Sequence, residues 1–275
     1  MTDVEIRLAL VAGAVVLSLI GLWVYHHVRA RRRAAEFARP WPPEWRALLD
    51  QSLPLYRRMP VSLRRRLEPL VREFLADVEF VGCRGLVVTD EMRLMVAVQA
   101  CLLVVERGPG AYSSLRSVLL YPDEFVVEER EEDEAGVVTE GVRALSGQSL
   151  ETSAIVLSWK DVVDGAAEDD GYNVVLHEFA HHLDHDLGGA LSDKGMGRRA
   201  FERWHEVLER EYEALCEAVE RGEPTLIDAY GAEHPAEFFA VATEVFFELP
   251  QEMQQHHGRL YAELRRFYGL DPAQW

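Results

Sequence analysis

The chain has few cysteines and fewer basic than acidic residues. Cys83, Cys101 and Cys216 are far apart and form no C-x-x-C pair. This argues against a cysteine-based zinc site and favours buried thiols in a reducing compartment. Lysine and arginine together number 29, against 47 aspartates and glutamates, so the net charge is −18. Because an acidic protein repels phosphate, we expect no nucleic-acid partner.

The N-terminal region lacks the charge order of a cleaved signal peptide. Leu8–Tyr25 carries no charge, and the basic residues Arg29, Arg31 and Arg32 follow this apolar run instead of preceding it. The run is long enough to cross a hydrocarbon core of about 30 Å. The positive-inside rule then predicts a single-pass helix in the cytoplasmic membrane, with the N-terminus outside and the rest of the chain in the cytoplasm. The alternative is a buried core helix, because the run is short for a membrane span.

Composition divides the chain into three regions. Residues 1–28 form the predicted membrane anchor, 29–43 form a basic and proline-rich linker, and 44–275 form one large domain. The R-P-W-P-P segment that ends at Pro43 is stiff, which suits a boundary between domains. The region after it is long enough to bury a substantial core.

Local patterns predict both helices and strands within the large domain. Asp90–Val105 combines helix formers with dense apolar residues, and Thr89 precedes it as a possible N-cap. Ser117–Tyr121 and Thr152–Trp159 are strand-like, and we predict that the second is an edge strand that aligns a substrate peptide. The acidic segment Asp161–Gly171 is predicted to be a loop that leads into the next helix, with Asn173 as a possible N-cap of that helix.

The central motif is H-E-x-x-H, in a segment whose apolar residues recur at helical spacing. His177 and His181 are four residues apart, so they would share one helix face and could bind one zinc ion at about 2.0–2.1 Å each. Glu178 would lie beside the ion and take a proton from its water. The alternative is a solvated helix face. The motif therefore predicts metal-assisted hydrolysis.

A catalytic zinc ion needs a third protein ligand, and the nearby candidates are unsuitable. His185 would lie about 12 Å along the helix axis from His177, too far to share an ion. His182 points away from the ligand face, and Asp184 is better placed to accept a hydrogen bond from a ligand imidazole. The longer pattern H-E-x-x-H-x-x-G-x-x-H is also absent, because its last position is Leu187.

The remaining candidates lie downstream, on a helix that Pro235 is predicted to begin. Glu237 stands among apolar residues, where a carboxylate is costly unless it is paired or binds metal. Glu244, two turns later, shares that face and is either the alternative ligand or a partner of one. His234 is a weaker candidate, predicted to cap the helix or to lie on the surface.

Several stretches of the sequence resemble a known family. H-E-F-A-H-x-L-D, followed by D-A-Y-G-x-x-x-P-A-E-F-F-A-V, is similar to the Mlc titration factor A family of zinc peptidases, whose site resembles that of the anthrax lethal factor catalytic domain. D-E-M-R-L-x-x-A-x-Q-A-C-L-L at Asp90–Leu103 and V-L-S-W at Val156–Trp159 resemble the same family. The resemblance extends from about Trp41 to Trp275 and is most specific in the two site motifs.

The resemblance implies a zincin-like α+β fold and a gluzincin-like site. It implies zinc on His177, His181 and Glu237. It also implies Glu178 as the catalytic base and Tyr230 as a donor of a hydrogen bond to the transition state. A peptide or protein would be the substrate, and a transcriptional regulator would be a partner.

The sequence therefore predicts a zinc-dependent peptidase attached to the membrane by its N-terminal helix. Two other hypotheses stay open. One is a protein that sequesters a transcription factor and uses zinc mainly for structure. The other is a hydrolase that acts on a non-peptide amide.

Overall fold

The computed structural model describes residues 40–123, 125–132, 138–145, 147–150, 153–167, 170–187 and 197–275. The predicted anchor, 1–28, and residues 29–39 of the predicted linker lie outside these ranges. Each helix in these ranges is too short or too polar to be a candidate membrane span. The membrane span at Leu8–Tyr25 thus stays a prediction.

The strands form a mixed sheet and a separate two-stranded ladder. The strands are β1 (Glu79–Gly82), β2 (Ser117–Tyr121), β3 (Phe125–Glu132), β4 (Val138–Leu145), β5 (Gly147–Leu150) and β6 (Ala154–Ser158). The sheet has the order β1-β2-β6-β5, in which β1, β2 and β6 run parallel and β5 runs antiparallel to β6. Strands β3 and β4 pair antiparallel with each other.

Helices make up most of the remaining described residues. They are α1 (Pro43–Ser52), α2 (Pro54–Arg58), α3 (Val61–Asp77), α4 (Asp90–Leu103), α5 (Trp159–Ala167), α6 (Val174–Leu187), α7 (Arg198–Glu220), α8 (Pro235–Glu248), α9 (Pro250–His256) and α10 (Gly258–Tyr268). Short 3-10 turns lie at Ala229–Ala232 and Pro272–Gln274. The described chain is thus a mixed fold of helices and sheet.

Helix α4 confirms the prediction made for Asp90–Val105. Its side chains are almost all buried from Met92 onwards, and the hydroxyl of Thr89 accepts a hydrogen bond from the backbone N–H of Met92. This cap satisfies a donor that the first turn would otherwise leave free.

Two sequence predictions are wrong in this region. The strand predicted at Thr152–Trp159 is not an edge, because β6 pairs with β2 on one side and with β5 on the other. The predicted loop at Asp161–Gly171 is instead largely helix α5. The hydroxyl of Ser158 accepts from the N–H of Asp161, and Val162 and Ala166 are buried one turn apart. Tertiary packing of this apolar pair outweighs the acidic composition.

Helix α6 carries the H-E-x-x-H motif and packs on α4, α5, α8, β5 and β6. Phe179, in the middle of the motif, is fully buried, and its ring packs against those of Phe74 and Tyr112, with ring centroids 5.7 and 5.3 Å apart. The apolar face of α6 thus lies in the core, and the opposite face presents the two motif histidines to α8.

Candidate metal centre

Three side-chain atoms from two helices converge on one point. The Nε2 atoms of His177 and His181 are 3.1 Å apart, and Oε2 of Glu237 lies 3.2 Å from the first and 3.1 Å from the second. Ligands bound tetrahedrally at about 2.0–2.1 Å from a zinc ion are roughly 3.3 Å apart. These three residues therefore have the chemistry and the spacing to hold a metal ion.

Local structure explains why the three atoms meet. His177 and His181 occupy successive turns of α6, so their rings lie on one face with centroids 4.7 Å apart. Glu237 stands in the first turn of α8, which Pro235 begins and His234 caps by accepting from the N–H of Ala236. The close packing of α8 on α6 brings this first turn over the two histidines.

Glu244 is placed to orient a ligand. Its Oε1 lies 2.7 Å from Nδ1 of His177, on the far side of the ring from the convergence point. A carboxylate that accepts the Nδ1 proton leaves Nε2 free to bind metal. Asp184 does not have the predicted role, because it makes no hydrogen bond to His181 in the part of the chain that the structure describes.

The other histidines near the motif stay away from the convergence point. His182 is fully buried, and its Nε2 lies 3.2 Å from the hydroxyl oxygen of Ser114. His185 is exposed in the last turn of α6, and His234 is exposed at the start of α8. The placement of all three agrees with the sequence analysis.

The carboxylates strongly favour a positive charge at the site. Burial opposes protonation of His177, but the hydrogen bonds to Glu237 and Glu244 outweigh it and raise the pKa of the imidazole to about 10. For Glu237, burial opposes ionisation, yet His177 and His181 hold the pKa of this carboxyl well below its usual range. The surroundings of these residues thus favour a positive charge, which a bound cation would supply.

Glu178 is a buried carboxyl next to the convergence point. Its side chain is 5% exposed, and it makes no hydrogen bond to any residue in the described ranges. Burial raises the pKa of Glu178 to about 7, although the neighbouring imidazoles of His177 and His181 pull it down. A buried carboxyl without such a bond is costly, and a pKa near neutrality suits a group that accepts and returns protons.

Tyr230 stands beside the same histidine. It lies in the 3-10 turn Ala229–Ala232, and its ring centroid is 6.0 Å from that of His177. The carboxylate of Asp228 caps this turn by accepting from the N–H of Tyr230, at 2.8 Å. The side chain is 38% exposed, so a molecule at the site could reach it.

Sequence reasoning missed the polar residues behind the site. Asn173 caps α6 as predicted, with Leu176 N–H donating to its Oδ1 at 3.1 Å, but its side chain also bonds Gln99 and Glu248. One sequence signal was present, since α8 is apolar apart from Thr243 and three glutamates, of which Glu244 and Glu248 lie one turn apart. Buried carboxylates at that spacing point to partners on a neighbouring helix.

Comparison with known proteins agrees with this geometry. Residues 27–269 match the family model described as glucose-regulated metallo-peptidase M90. A protein of Synechocystis sp. described as uncharacterized is 41% identical over 254 residues, covering 91% of this chain and 92% of its own. Mlc titration factor A of Edwardsiella ictaluri is 32% identical over 249 residues, covering 90% and 93%. That of Serratia proteamaculans is 34% identical over 232 residues, covering 83% and 87%. The chain therefore belongs to the glucose-regulated metallo-peptidase M90 family, as the resemblance of its two motifs to the Mlc titration factor A family implied.

Proposed function

We propose that this chain is a zinc-dependent peptidase that hydrolyses peptide bonds with Glu178 as general base. The observation that carries the proposal is the meeting of His177, His181 and Glu237 within 3.1–3.2 Å of one another, next to a buried carboxyl. Membership of a metallo-peptidase family supports it.

Zinc is the metal that the donor atoms fit best. Two imidazole nitrogens and one carboxylate oxygen form a borderline donor set that zinc accepts. The described residues supply these three ligands, which would leave the fourth tetrahedral position open. A structural zinc site is usually closed by four protein ligands, so the arrangement supports a catalytic role. When bound, zinc lowers the pKa of water toward about 7 and polarises the substrate carbonyl.

The residues around the ion then act as follows. Glu178 takes a proton from the attacking water and later passes it to the leaving amine. The hydroxyl of Tyr230 donates a hydrogen bond to the oxyanion that develops on the carbonyl. Glu244 keeps the ring of His177 in the orientation that binding requires.

The sheet offers a place for the substrate backbone. We infer a zincin-like arrangement in which the peptide pairs with an edge strand close to α6. Among the described strands, β5 lies at one end of the sheet order and packs on α6, so it takes the role first predicted for β6. A strand edge supplies main-chain hydrogen bonds without dictating sequence.

Zinc content and peptide cleavage, measured on one purified sample, test the proposal. We expect the full chain to contain zinc, to cleave members of a mixed peptide library, and to lose that activity with a chelator and regain it with added zinc. Cleavage that survives complete removal of metal would contradict the mechanism. Products from non-peptide amides alone would instead support the hydrolase hypothesis.

The Tyr230→Phe variant tests the assigned hydroxyl. The ring would stay beside His177, so we expect KM to change little and kcat to fall about 10²- to 10³-fold, equivalent to about 2.7–4 kcal/mol in the barrier. Steady-state kinetics on a cleaved peptide measure both constants. Tyr172, an exposed tyrosine on the loop before α6, provides a matched control when changed to Phe. An unchanged kcat in Tyr230→Phe would remove this residue from the mechanism.

A second candidate function is suggested by the name of the relatives. Mlc titration factor A, as named, is a factor that titrates Mlc, and we infer by analogy that this chain could bind a transcriptional regulator. In that case zinc would have a mainly structural role. Full binding of a purified Mlc-type regulator by Glu178→Gln, together with no peptide hydrolysed by the wild type, would favour this function over the peptidase.

Attachment to the cytoplasmic membrane is the remaining part of the proposal. It depends on the apolar run Leu8–Tyr25 and the arginines that follow it. The catalytic domain would then act in the cytoplasm, close to the bilayer.

A further inference from the structure

A network of buried polar side chains lies behind the proposed metal site. Gln99, Asn173, Glu244 and Glu248 are each at most 3% exposed, and they come from α4, the start of α6, and α8. Burying an amide or a carboxylate is unfavourable unless its hydrogen bonds are made. The burial of these four residues therefore depends on the hydrogen bonds that they make, and Asn173 is bonded to each of the other three.

Asn173 is linked to His177 by two separate routes. Its backbone carbonyl accepts the N–H of His177 at 2.9 Å, as the first turn of α6 requires. Its own backbone N–H donates to Oε2 of Glu244, whose other oxygen holds Nδ1 of His177 at 2.7 Å. Asn173, Glu244 and His177 thus form a closed ring of hydrogen bonds. A shift of Asn173 would move the carboxylate that sets the angle of the imidazole.

The side chain of Asn173 uses every hydrogen-bonding group that it has. Its Oδ1 accepts from the N–H of Leu176 at 3.1 Å, and its Nδ2 donates to Oε1 of Gln99 at 2.7 Å and to Oε1 of Glu248 at 2.9 Å. Gln99 is itself held, because its Nε2 donates to the carbonyl of Met95 at 3.0 Å. Only a side-chain amide combines one acceptor and two donors in this way.

These bonds connect the two helices that carry the proposed ligands. Glu244 and Glu248 lie one turn apart on α8, and both are bonded by one residue at the start of α6. Arg58 of α2 lies 3.6 Å from the carboxylate of Glu248 and offsets part of its charge. The spacing between α6 and α8 at this end therefore depends on Asn173.

We propose that Asn173 is a positioning residue for the metal site. Its side chain anchors the start of α6 to α4 and α8, and this keeps its backbone N–H in place to hold Glu244 against His177. The inference rests on the proposed zinc-binding function. Asn173 touches neither the convergence point nor any reacting atom. It acts through Glu244, which holds the imidazole of His177 in the orientation that metal binding requires. Because the ring is already oriented, the binding of an ion does not have to include the cost of turning it.

The Asn173→Ser variant separates this role from helix capping. Serine caps helices about as well as asparagine, but it lacks the two N–H donors for Gln99 and Glu248. We expect zinc binding, measured by competition with a chelating dye, to weaken about 10- to 100-fold. The visible spectrum of the cobalt-loaded protein should also change, because it reports the geometry of the ligands. Thr89→Ala, which removes the cap of α4, is the control that should reduce stability and leave zinc affinity unchanged.

A second variant covers the case in which Asn173→Ser fails to fold. Gln99→Met removes one partner of the Asn173 amide, leaves the cap of α6 intact and touches no proposed ligand. It should weaken zinc binding in the same direction. Wild-type affinity in both variants, or in Gln99→Met if it alone folds, would overturn the inference and leave the proposed function standing. A wild-type chain that takes up no zinc would overturn both.

Discussion

The Glu178→Gln variant is expected to keep its zinc and to cleave peptides about 10²- to 10⁴-fold more slowly than the wild type. Glutamine has nearly the same shape as glutamate but cannot accept the proton of the attacking water. Glu178 makes no hydrogen bond within the described ranges, so the change disturbs no partner. Turnover on a cleaved peptide and zinc content per chain should be measured on the same sample.

An exposed glutamate provides the matched control for this variant. Glu209 lies on the surface of α7, and Glu209→Gln makes the same chemical change away from the convergence point. It should have wild-type turnover and wild-type zinc content. If Glu178→Gln also cleaved peptides at the wild-type rate, the role of general base would have to be withdrawn.

The second large effect is expected from His181→Ala, which should empty the metal site and abolish hydrolysis. Nε2 of His181 is one of three atoms that meet at the convergence point, and its loss leaves one imidazole and one carboxylate. Zinc analysis after dialysis measures the loss. The circular dichroism spectrum reports whether the helices persist.

The next turn of the same helix supplies the control for His181→Ala. His185 is four residues further along α6, exposed, and remote from the convergence point. His185→Ala should therefore bind zinc and cleave peptides as the wild type does. Full zinc occupancy in His181→Ala would mean that zinc is bound by a different set of ligands.

The features predicted best from the sequence depend on short spacings along the chain. Two histidines four residues apart on a helix must lie on one face, whatever the rest of the fold does. Glu237 was also recognisable, because a carboxylate among apolar residues is usually paired or binds metal. The cap by Asn173 was recognisable because asparagine is a preferred residue immediately before a helix. The structure places both where these arguments expect them.

The features that were missed depend on partners distant in the sequence. Nothing local distinguishes β5 from a loop, because its pairing with β6 defines it as a strand. The bonds from Asn173 to Gln99 and Glu248 join residues 74 and 75 positions apart, which no local pattern predicts. Helix α5 was mistaken for a loop because burial of Val162 and Ala166 is a property of the packed domain.

The separation of the ligands in the sequence has a practical consequence. Glu237 lies 56 positions after His181, so an ion held by both would tie together two distant parts of the chain in the folded state. Since the unfolded chain cannot keep that arrangement, free zinc at 100 times its dissociation constant would add about 2.7 kcal/mol to the free energy of unfolding. Melting curves recorded at increasing zinc concentrations could therefore report occupancy before any substrate has been identified.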